Sequence, residues 1–237
     1  MNILDNITLC FCSFNNNKLS ALLIKSLFKQ IGRYIPVVIV DNGNKELMSD
    51  DMKSIFTVID NSNYKITGNQ NQNSRNHCAA VDYALKNCIK TKYVLLTDSD
   101  ILFKPSVKKL FESLNAEKLE TLGEIWGNND RIMPMFCIIN LEKFKNENIN
   151  FYDPERCMNN FISIWDENGN YIKDIIKPDK WHGDTGASCL WDILKNGWNI
   201  TKIKMSDYIE HYGRGSFAKD KKITVNQWLE IHKDLWK

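Results

Sequence analysis

The chain has 237 residues, of which 43% are hydrophobic and 25% are charged, a length that suits one or two domains with a continuous core. Its 31 basic and 29 acidic residues leave a net charge of +2, so a nucleic-acid-binding protein with a strongly basic surface is excluded. No apolar run approaches the roughly 20 residues of a membrane-spanning helix, so we expect no transmembrane segment.

Cysteine usage and the first residues of the chain indicate a reducing compartment. The seven cysteines include no C-x-x-C pair, and Cys10 and Cys12 alternate along an apparent strand as small apolar side chains do. The residues from Met1 onward lack the basic and then apolar pattern of a secretory leader. We therefore expect a cytoplasmic protein.

The first hundred residues alternate between strand and helix patterns. The predicted elements are a strand over residues 7–14, a helix over 19–31 that ends at Gly32, a strand over 37–40, a strand over 55–59, a helix over 79–85 and a strand over 93–97. An Asn-rich stretch over 61–73 predicts a loop. This order predicts an α/β protein whose central sheet is mostly parallel and flanked by helices.

The second half is less regular. A strand is predicted over 132–140, a turn over 166–170 between two extended pieces, and a helix over 187–196 that Gly197 closes. From Thr224 onward a further helix is predicted, with its apolar face formed by Trp228, Leu229, Ile231, Leu235 and Trp236. We expect this face to pack on its own domain, with self-association as the alternative. Because no repeat or linker appears, we predict a single domain.

Paired carboxylates follow the fourth predicted strand, in Thr97-Asp98-Ser99-Asp100. In an extended segment, residues two apart point the same way, so Asp98 and Asp100 are expected to project together. The carboxyl ends of buried parallel strands are where α/β sheets bind ligands, and two carboxylates there suit Mg²⁺ or Mn²⁺ bridging a diphosphate. The alternative is a polar turn in which Asp100 acts as a cap.

Two further polar positions lie near the same predicted edge. Asp41 ends the second strand, where its carboxylate could accept hydrogen bonds from a base or ribose, or could simply belong to an Asp-Asn-Gly turn. Arg75, in Ser74-Arg75-Asn76, could pair with phosphate or be a solvated residue at a helix start.

The order of these motifs resembles the nucleotide-sugar half of GT-A glycosyltransferases, especially family 2-like enzymes. Those enzymes show an apolar strand ending in Ser/Thr-Tyr/Phe-Asn, a strand ending in Asp-Asn-Gly/Ser, a helix entered through Arg-Asn and a strand ending in D-x-D. The corresponding segments here are 12–15, 41–43, 75–76 and 98–100. The resemblance covers roughly residues 6–105 and, more loosely, 130–216.

The resemblance implies roles for individual residues. Ser13 and Asp41 would hold the uracil and ribose end of a UDP-sugar, and Arg75 would lie near the uridine or the diphosphate. Asp98 would approach the ribose and the metal, and Asp100 would be the main protein ligand of Mn²⁺ or Mg²⁺. One departure is that His77-Cys78 stands where a glycine often follows the Arg-Asn pair, which puts the close packing of that helix in doubt.

The resemblance also implies roles for three residues of the second half. Asp184 precedes a predicted helix and corresponds to the general base of an inverting transfer, although it would serve equally well as a helix N-cap. His211 lies in a late Gly-rich segment and corresponds to a third metal ligand. Arg214 could neutralise charge on the departing nucleotide.

Two tryptophans are weaker candidates for sugar-binding platforms. Trp126 precedes a polar turn, where a core position is favoured over a sugar-binding one, and Trp181 lies close in sequence to Asp184.

We therefore interpret the chain as a metal-dependent glycosyltransferase, with a nucleotide-sugar-binding half over 1–105 and an acceptor-binding, catalytic half over 106–237. A glycan or glycoconjugate hydroxyl is the expected acceptor. A retaining enzyme of the same fold, a sugar-phosphate nucleotidyltransferase and an inactive nucleotide- or glycan-binding protein are the alternatives. The nucleotidyltransferase is disfavoured because the segment 14–18 contains no glycine.

Overall fold

A central sheet of seven strands organises the part of the chain that the computed structural model describes, namely residues 2–43, 48–61, 72–126, 131–151, 153, 161–165, 171–176, 186–213 and 223–237. The strands are, in chain order, β1 (Ile7–Ser13), β2 (Val37–Asp41), β3 (Thr57–Asp60), β4 (Tyr93–Asp98), β5 (Ile101–Phe103), β6 (Thr121–Trp126), β7 (Arg131–Asn140), β8 (Phe161–Trp165), β9 (Tyr171–Ile176), β10 (Ile200–Lys202) and β11 (Ile209–His211).

The helices lie between these strands and after the last of them. They are α1 (Asn17–Ile31), α2 (Asp50–Ile55), α3 (Gln72–Asn87), α4 (Ser106–Ser113), α5 (Leu141–Asn146), α6 (Ala187–Lys195) and α7 (Val225–Ile231), with short 3-10 turns at Ile3–Asp5, Met205–Asp207 and Lys233–Leu235. Within the ranges given above, none of the helices combines the length and the apolar character needed to cross a bilayer.

The strand order in the central sheet is β10-β6-β7-β4-β1-β2-β3. β1 pairs in parallel with β2 and with β4, β2 pairs in parallel with β3, and β6 with β10, whereas β7 runs antiparallel between β4 and β6. The predicted α/β fold with a mostly parallel sheet is therefore confirmed. Because the chain builds β2 and β3 on one side of β1 and then crosses to β4 on the other, the topological switch point lies between β1 and β4, and the ligand crevice of an α/β sheet is expected at their carboxyl ends.

Alternating side chains of β1 supply both faces of the sheet with core residues. Leu9 and Phe11 belong to a buried cluster that includes residues of α1 and α4, while Cys10 belongs to a second cluster that includes residues of α3 and α6. Burying each large apolar side chain contributes about 1.5–3 kcal/mol. A slip of one residue in β1 would exchange the two faces, so packing on both sides fixes the register that positions the strand ends.

Most of the predicted elements are present, and three predictions differ from the structure. The predicted strand over 55–59 begins only at Thr57, because Ser49 caps the short helix α2, whose first turn carries Asp50 and Asp51. The predicted apolar face from Thr224 onward is wrong at Ile231, which is 62% exposed, because α7 ends there and a 3-10 turn changes the direction of the following residues. The predicted loop over 61–73 is wrong at its end, because residues 72 and 73 belong to α3. Residues 62–71 of that loop and the predicted turn at 166–170 lie outside the described residues.

The cysteines that the structure describes are free thiols, as the sequence predicted. Cys10, Cys137 and Cys189 are fully buried, and burial raises the pKa of the Cys10 thiol to about 12. Burial likewise raises the pKa of Cys137 and Cys189 well above the ordinary value. Because the thiolate is the reactive form, these side chains act as small apolar packing groups.

A close approach between Gly186 and the backbone of β7 fixes the start of α6. Gly186 has φ of 90°, and a Cβ added there would overlap the carbonyl oxygen of Ile132. Gly197, at the other end of α6, has φ of 68° but open space around the position of a Cβ. Comparing substitutions at the two glycines therefore separates the cost of backbone strain from the cost of steric overlap.

We expect Gly197→Ala to lower the free energy of unfolding by roughly 1 kcal/mol, the cost of a left-handed conformation for alanine. Gly186→Ala carries the same strain and an overlap with backbone, so we expect it to cost about 2 kcal/mol more. Urea unfolding followed by circular dichroism measures both. Equal losses in the two variants would show that the contact with Ile132 does not constrain α6.

Candidate functional site

The end of β4 carries two acidic residues at the crevice between β1 and β4. Asp98 is the last residue of β4, and Asp100 lies in the two-residue turn that connects β4 to β5. The sequence predicted that both carboxylates project together from an extended segment. They do lie together, but the turn at Ser99 and Asp100 brings them to the same place, because the strand ends at Asp98.

His211 reaches the same site through a second, two-stranded sheet. β11 pairs antiparallel with β5, and His211 lies opposite Ile101, the residue that follows Asp100. The His211 Nε2 atom is 3.2 Å from Asp100 Oδ1. One ligand atom from each of Asp98, Asp100 and His211 lies within 4.8 Å of the others, so two carboxylates and an imidazole converge over a distance that one divalent cation spans.

Buried polar atoms around the carboxylates lack hydrogen-bond partners. Among the described residues, the Asp98 Oδ1, Thr97 Oγ1 and His77 Nε2 atoms are buried and unpaired. Each such atom costs roughly 1–3 kcal/mol unless a ligand or ion satisfies it. Sequence reasoning gave His77 little weight, because a strand-and-helix pattern does not indicate which atom of a helical side chain is buried.

Opposing influences act on the ionisation of Asp98. Burial has the largest effect and raises the pKa of the carboxyl group above its ordinary value, while the nearby His77 lowers it. The Asp100 carboxylate raises this pKa further, and His211 and Arg131 lower it. The net shift is upward, so the ionised carboxylate is costly in the protein without a cation.

Ser13 and Asp41 lie side by side at the ends of β1 and β2, where the parallel register pairs them. Both are buried. Ser13 Oγ accepts a hydrogen bond from Ser20 Oγ at 3.0 Å, and the Asp41 oxygens accept from the backbone N–H groups of Gly43, at 3.0 Å, and Met48, at 2.7 Å. Asp41 thus forms the turn that the sequence offered as an alternative, and its carboxylate orders the backbone beside the crevice.

Other candidate residues are only partly described or lie outside the description. Arg75 is in the first turns of α3, whose backbone is described there and whose side chain is not. Asp184, Arg214 and Trp181 lie outside the described residues. Of the residues that the sequence indicated as metal ligands, the structure brings together Asp98, Asp100 and His211.

An aromatic and cationic pair lies at the end of β6. Trp126 is 56% exposed, so the core position considered from sequence is wrong. The Arg131 guanidinium carbon is 4.8 Å from the centroid of the Trp126 ring, a cation–π geometry, and Arg131 pairs with Trp126 across the β6–β7 ladder. Arg131 also lowers the pKa of Asp98, so the positive charge of Arg131 acts electrostatically on the acidic site. Sequence analysis did not identify Arg131 as a candidate, because a position directly after a polar turn does not by itself indicate a functional residue.

Comparison with known proteins identifies a matching protein family. The family model described as glycosyl transferase family 2 matches residues 8–163. No curated protein matches the chain in a sequence search.

Three solved structures resemble this chain at low sequence identity. TarS from S. aureus is 17% identical, with 64% of this chain and 31% of that chain covered and a TM-score of 0.43. The mannosyltransferase PcManGT from Pyrobaculum calidifontis, solved in complex with GDP-Man and Mn²⁺, is 13% identical, with 62% and 47% covered and a TM-score of 0.42. The glycosyltransferase GlyE from Streptococcus pneumoniae TIGR4 is 14% identical, with 84% and 45% covered and a TM-score of 0.49. The chain spans about a third to a half of the length of these proteins.

The raised pKa of Asp98 predicts that its ionised carboxylate lowers the stability of the fold. The folded-state pKa exceeds the unfolded value, so the ionised carboxylate lowers stability above the folded pKa, and this penalty disappears as the pH falls below the unfolded value. In EDTA at pH 7.5, we expect Asp98→Asn to raise the free energy of unfolding by about 1–3 kcal/mol. The gain should shrink in urea titrations at progressively lower pH.

The matched control is Asp50→Asn, because the Asp50 side chain is fully exposed on α2. This change should alter the free energy of unfolding by less than about 0.5 kcal/mol. A loss of stability in Asp98→Asn at pH 7.5 would mean that the carboxylate is favourably compensated inside the fold.

Proposed function

The chain belongs to glycosyl transferase family 2, and from that premise we propose that it transfers a sugar from a nucleotide donor, a UDP-sugar, to a hydroxyl group of a glycan or glycoconjugate. The observation that carries the proposal is the convergence of Asp98, Asp100 and His211 within 4.8 Å at the crevice between β1 and β4. An acidic site at a topological switch point suits a nucleotide diphosphate held through a cation.

The three side chains fit Mn²⁺ or Mg²⁺. Carboxylate oxygens are the preferred ligands of both ions, and a neutral imidazole nitrogen suits Mn²⁺. The buried and unpaired Oδ1 atom of Asp98 supports the fit, since a cation would satisfy it. The chemistry that such an ion supplies is neutralisation of the negative charge on the departing diphosphate.

The ends of β1 and β2 are proposed to hold the nucleoside. Asp41 orients the N–H groups of Gly43 and Met48, and its remaining acceptor positions would take a hydrogen bond from the base or ribose. Ser13, paired with Asp41 in register, would line the same surface. Arg75 on α3 and Arg214 are proposed to bind the diphosphate as bidentate donors.

Asp184 is the proposed general base. Transfer with inversion requires a group that takes the proton of the acceptor hydroxyl as the new glycosidic bond forms. The fixed backbone of Gly186 against Ile132 supports a defined position for the start of α6, just after Asp184. We also propose that residues 1–105 bind the donor, while residues 106–237 bind the acceptor and supply the base.

The first prediction of this proposal concerns nucleotide binding. Isothermal titration calorimetry should detect UDP binding in Mn²⁺, with the Kd at least about tenfold weaker in EDTA. Asp100→Asn should weaken the Mn²⁺-dependent binding by a similar factor, because it removes a carboxylate ligand. Asp50→Asn should leave the Kd unchanged, because the Asp50 side chain is fully exposed on α2.

The same titration with GDP and dTDP identifies the nucleotide. Tight binding of one of these in place of UDP would correct the donor and keep the reaction class. If none of the three binds in the presence of Mn²⁺, the proposal of a nucleotide-sugar-dependent transferase is wrong. Tight binding without any turnover of nucleotide sugars would instead favour an inactive binding protein.

The second prediction concerns the base. Asp184→Asn should lower kcat for sugar transfer by about 10²–10⁴-fold and leave the Kd for the nucleotide within about twofold. The exposed Asp207, changed to Asn, is the control and should retain full activity. The NMR spectrum of the product gives the anomeric configuration, and retention of configuration together with an active Asp184→Asn variant would exclude inversion through this residue.

A further inference from the structure

The strand that carries His211, β11, is short and has few backbone hydrogen bonds to hold it in place. β11 has three residues, and within the described chain it pairs only with β5, which also has three. A two-stranded ribbon of this size is marginally stable at best without packing from elsewhere. The His211 side chain is 30% exposed, so its position beside Asp100 must be fixed mainly through its neighbours.

Tyr212, the residue after His211, contacts both the backbone of the acidic site and the last helix, α7. It is fully buried, and its backbone N–H donates to the carbonyl oxygen of Asp100 at 2.9 Å. Its Oη donates to the carbonyl oxygen of Ile223 at 3.2 Å, and its ring centroid lies 5.4 Å from that of Trp228 on α7. Tyr212 thus connects the backbone of one acidic ligand to the last helix.

The last helix is itself held firmly. Thr224 and Gln227 form a capping box at its start. Trp228 and Leu229 belong to a buried cluster that we call the C-terminal cluster, whose buried members are Leu19, Leu102, Tyr212, Trp228, Leu229 and Leu235. Leu19 comes from α1 and Leu102 from β5, so the cluster packs α7 against the first helix and against the strand that follows Asp100.

Polar contacts reinforce the attachment to α1. Lys18 Nζ donates to Asn226 Oδ1 at 2.8 Å, and Gln30 Nε2 donates to the carbonyl oxygen of Leu235 at 3.1 Å. A continuous set of contacts therefore runs from α1 through α7 and Tyr212 to Asp100 and His211.

We propose that Trp228 is a positioning residue for the metal site, holding Tyr212 so that His211 stays beside Asp100. The functional consequence rests on the proposed function, since it concerns affinity for the cation, but the structural consequence does not. Removing the Trp228 ring leaves the three ligand side chains intact and frees Tyr212 to shift. His211 then samples positions away from Asp100.

The experiment compares Trp228→Leu with two other variants. Trp228→Phe retains an aromatic ring against Tyr212 and should rescue the effect. Phe111→Leu removes another buried aromatic ring, from α4 and in a different cluster, and controls for a general loss of stability. Each variant is the full chain, checked for folding by near-ultraviolet circular dichroism.

The first readout is the ring Cε1–Hε1 signal of His211 in a ¹H–¹³C NMR spectrum without metal, assigned with His211→Gln. In Trp228→Leu we expect this signal to move toward its unfolded position, and in Phe111→Leu to stay in place. The second readout is the Kd for Mn²⁺ alone, from the free-ion signal in electron paramagnetic resonance. We expect it to weaken about tenfold in Trp228→Leu and less than about threefold in the other two variants.

An unchanged His211 signal together with an unchanged Kd for Mn²⁺ in folded Trp228→Leu would overturn the proposal. If the unaltered protein binds no Mn²⁺, the proposed metal dependence fails, and the His211 signal still decides the positioning role. If Trp228→Leu does not fold, Tyr212→Phe serves in its place. It removes the hydroxyl group that donates to Ile223 and should shift the His211 signal in the same direction by a smaller amount, whereas no shift would overturn the proposal.

Discussion

Parallel pairing of β1 with β4 sets Cys12 opposite Asp98 and so places the acidic residue at the mouth of the crevice. That register is maintained by packing on both faces of the sheet, with Leu9 and Phe11 on one side and Cys10 on the other. A one-residue slip of β1 would bury the wrong set on each face and also shift the end of β1 relative to Asp98. The core and the candidate site therefore depend on the same alignment.

The site is assembled at a cost to stability. A buried carboxylate with a raised pKa, a second carboxylate beside it and several unpaired polar atoms all lie at one end of β4. Such groups are individually unfavourable in a folded protein and are tolerated where the surrounding packing is strong. Here β4 is flanked by β1 and β7, with fully buried apolar residues along its length, which supplies that support.

The sequence could predict those residues of the site whose positions follow from the strand pattern. The apolar run of β4 followed by Asp98 and Asp100 indicated both the element and its end, although the carboxylates meet through a turn. The spacing could not show that His77 has a buried nitrogen near Asp98, since the rotation of a helix about its axis is set by packing. Nor could it show that Arg131 stacks on an exposed Trp126, because that contact depends on the β6–β7 ladder. The helix α2 was missed because its six residues include no buried apolar side chain to mark a periodic face.

The arrangement of the three candidate metal-binding side chains argues against treating the two halves of the chain as independent units. Asp98 and Asp100 come from the first 105 residues, whereas His211 arrives from the second half through the pairing of β11 with β5. β7, from the second half, also supplies hydrogen-bond partners for the backbone groups along one edge of β4. The isolated first half would expose that edge and lose one of the three candidate metal-binding side chains. Folding of the second half is therefore a condition for completing the site on the first, and the short β5–β11 pairing is the physical link between them.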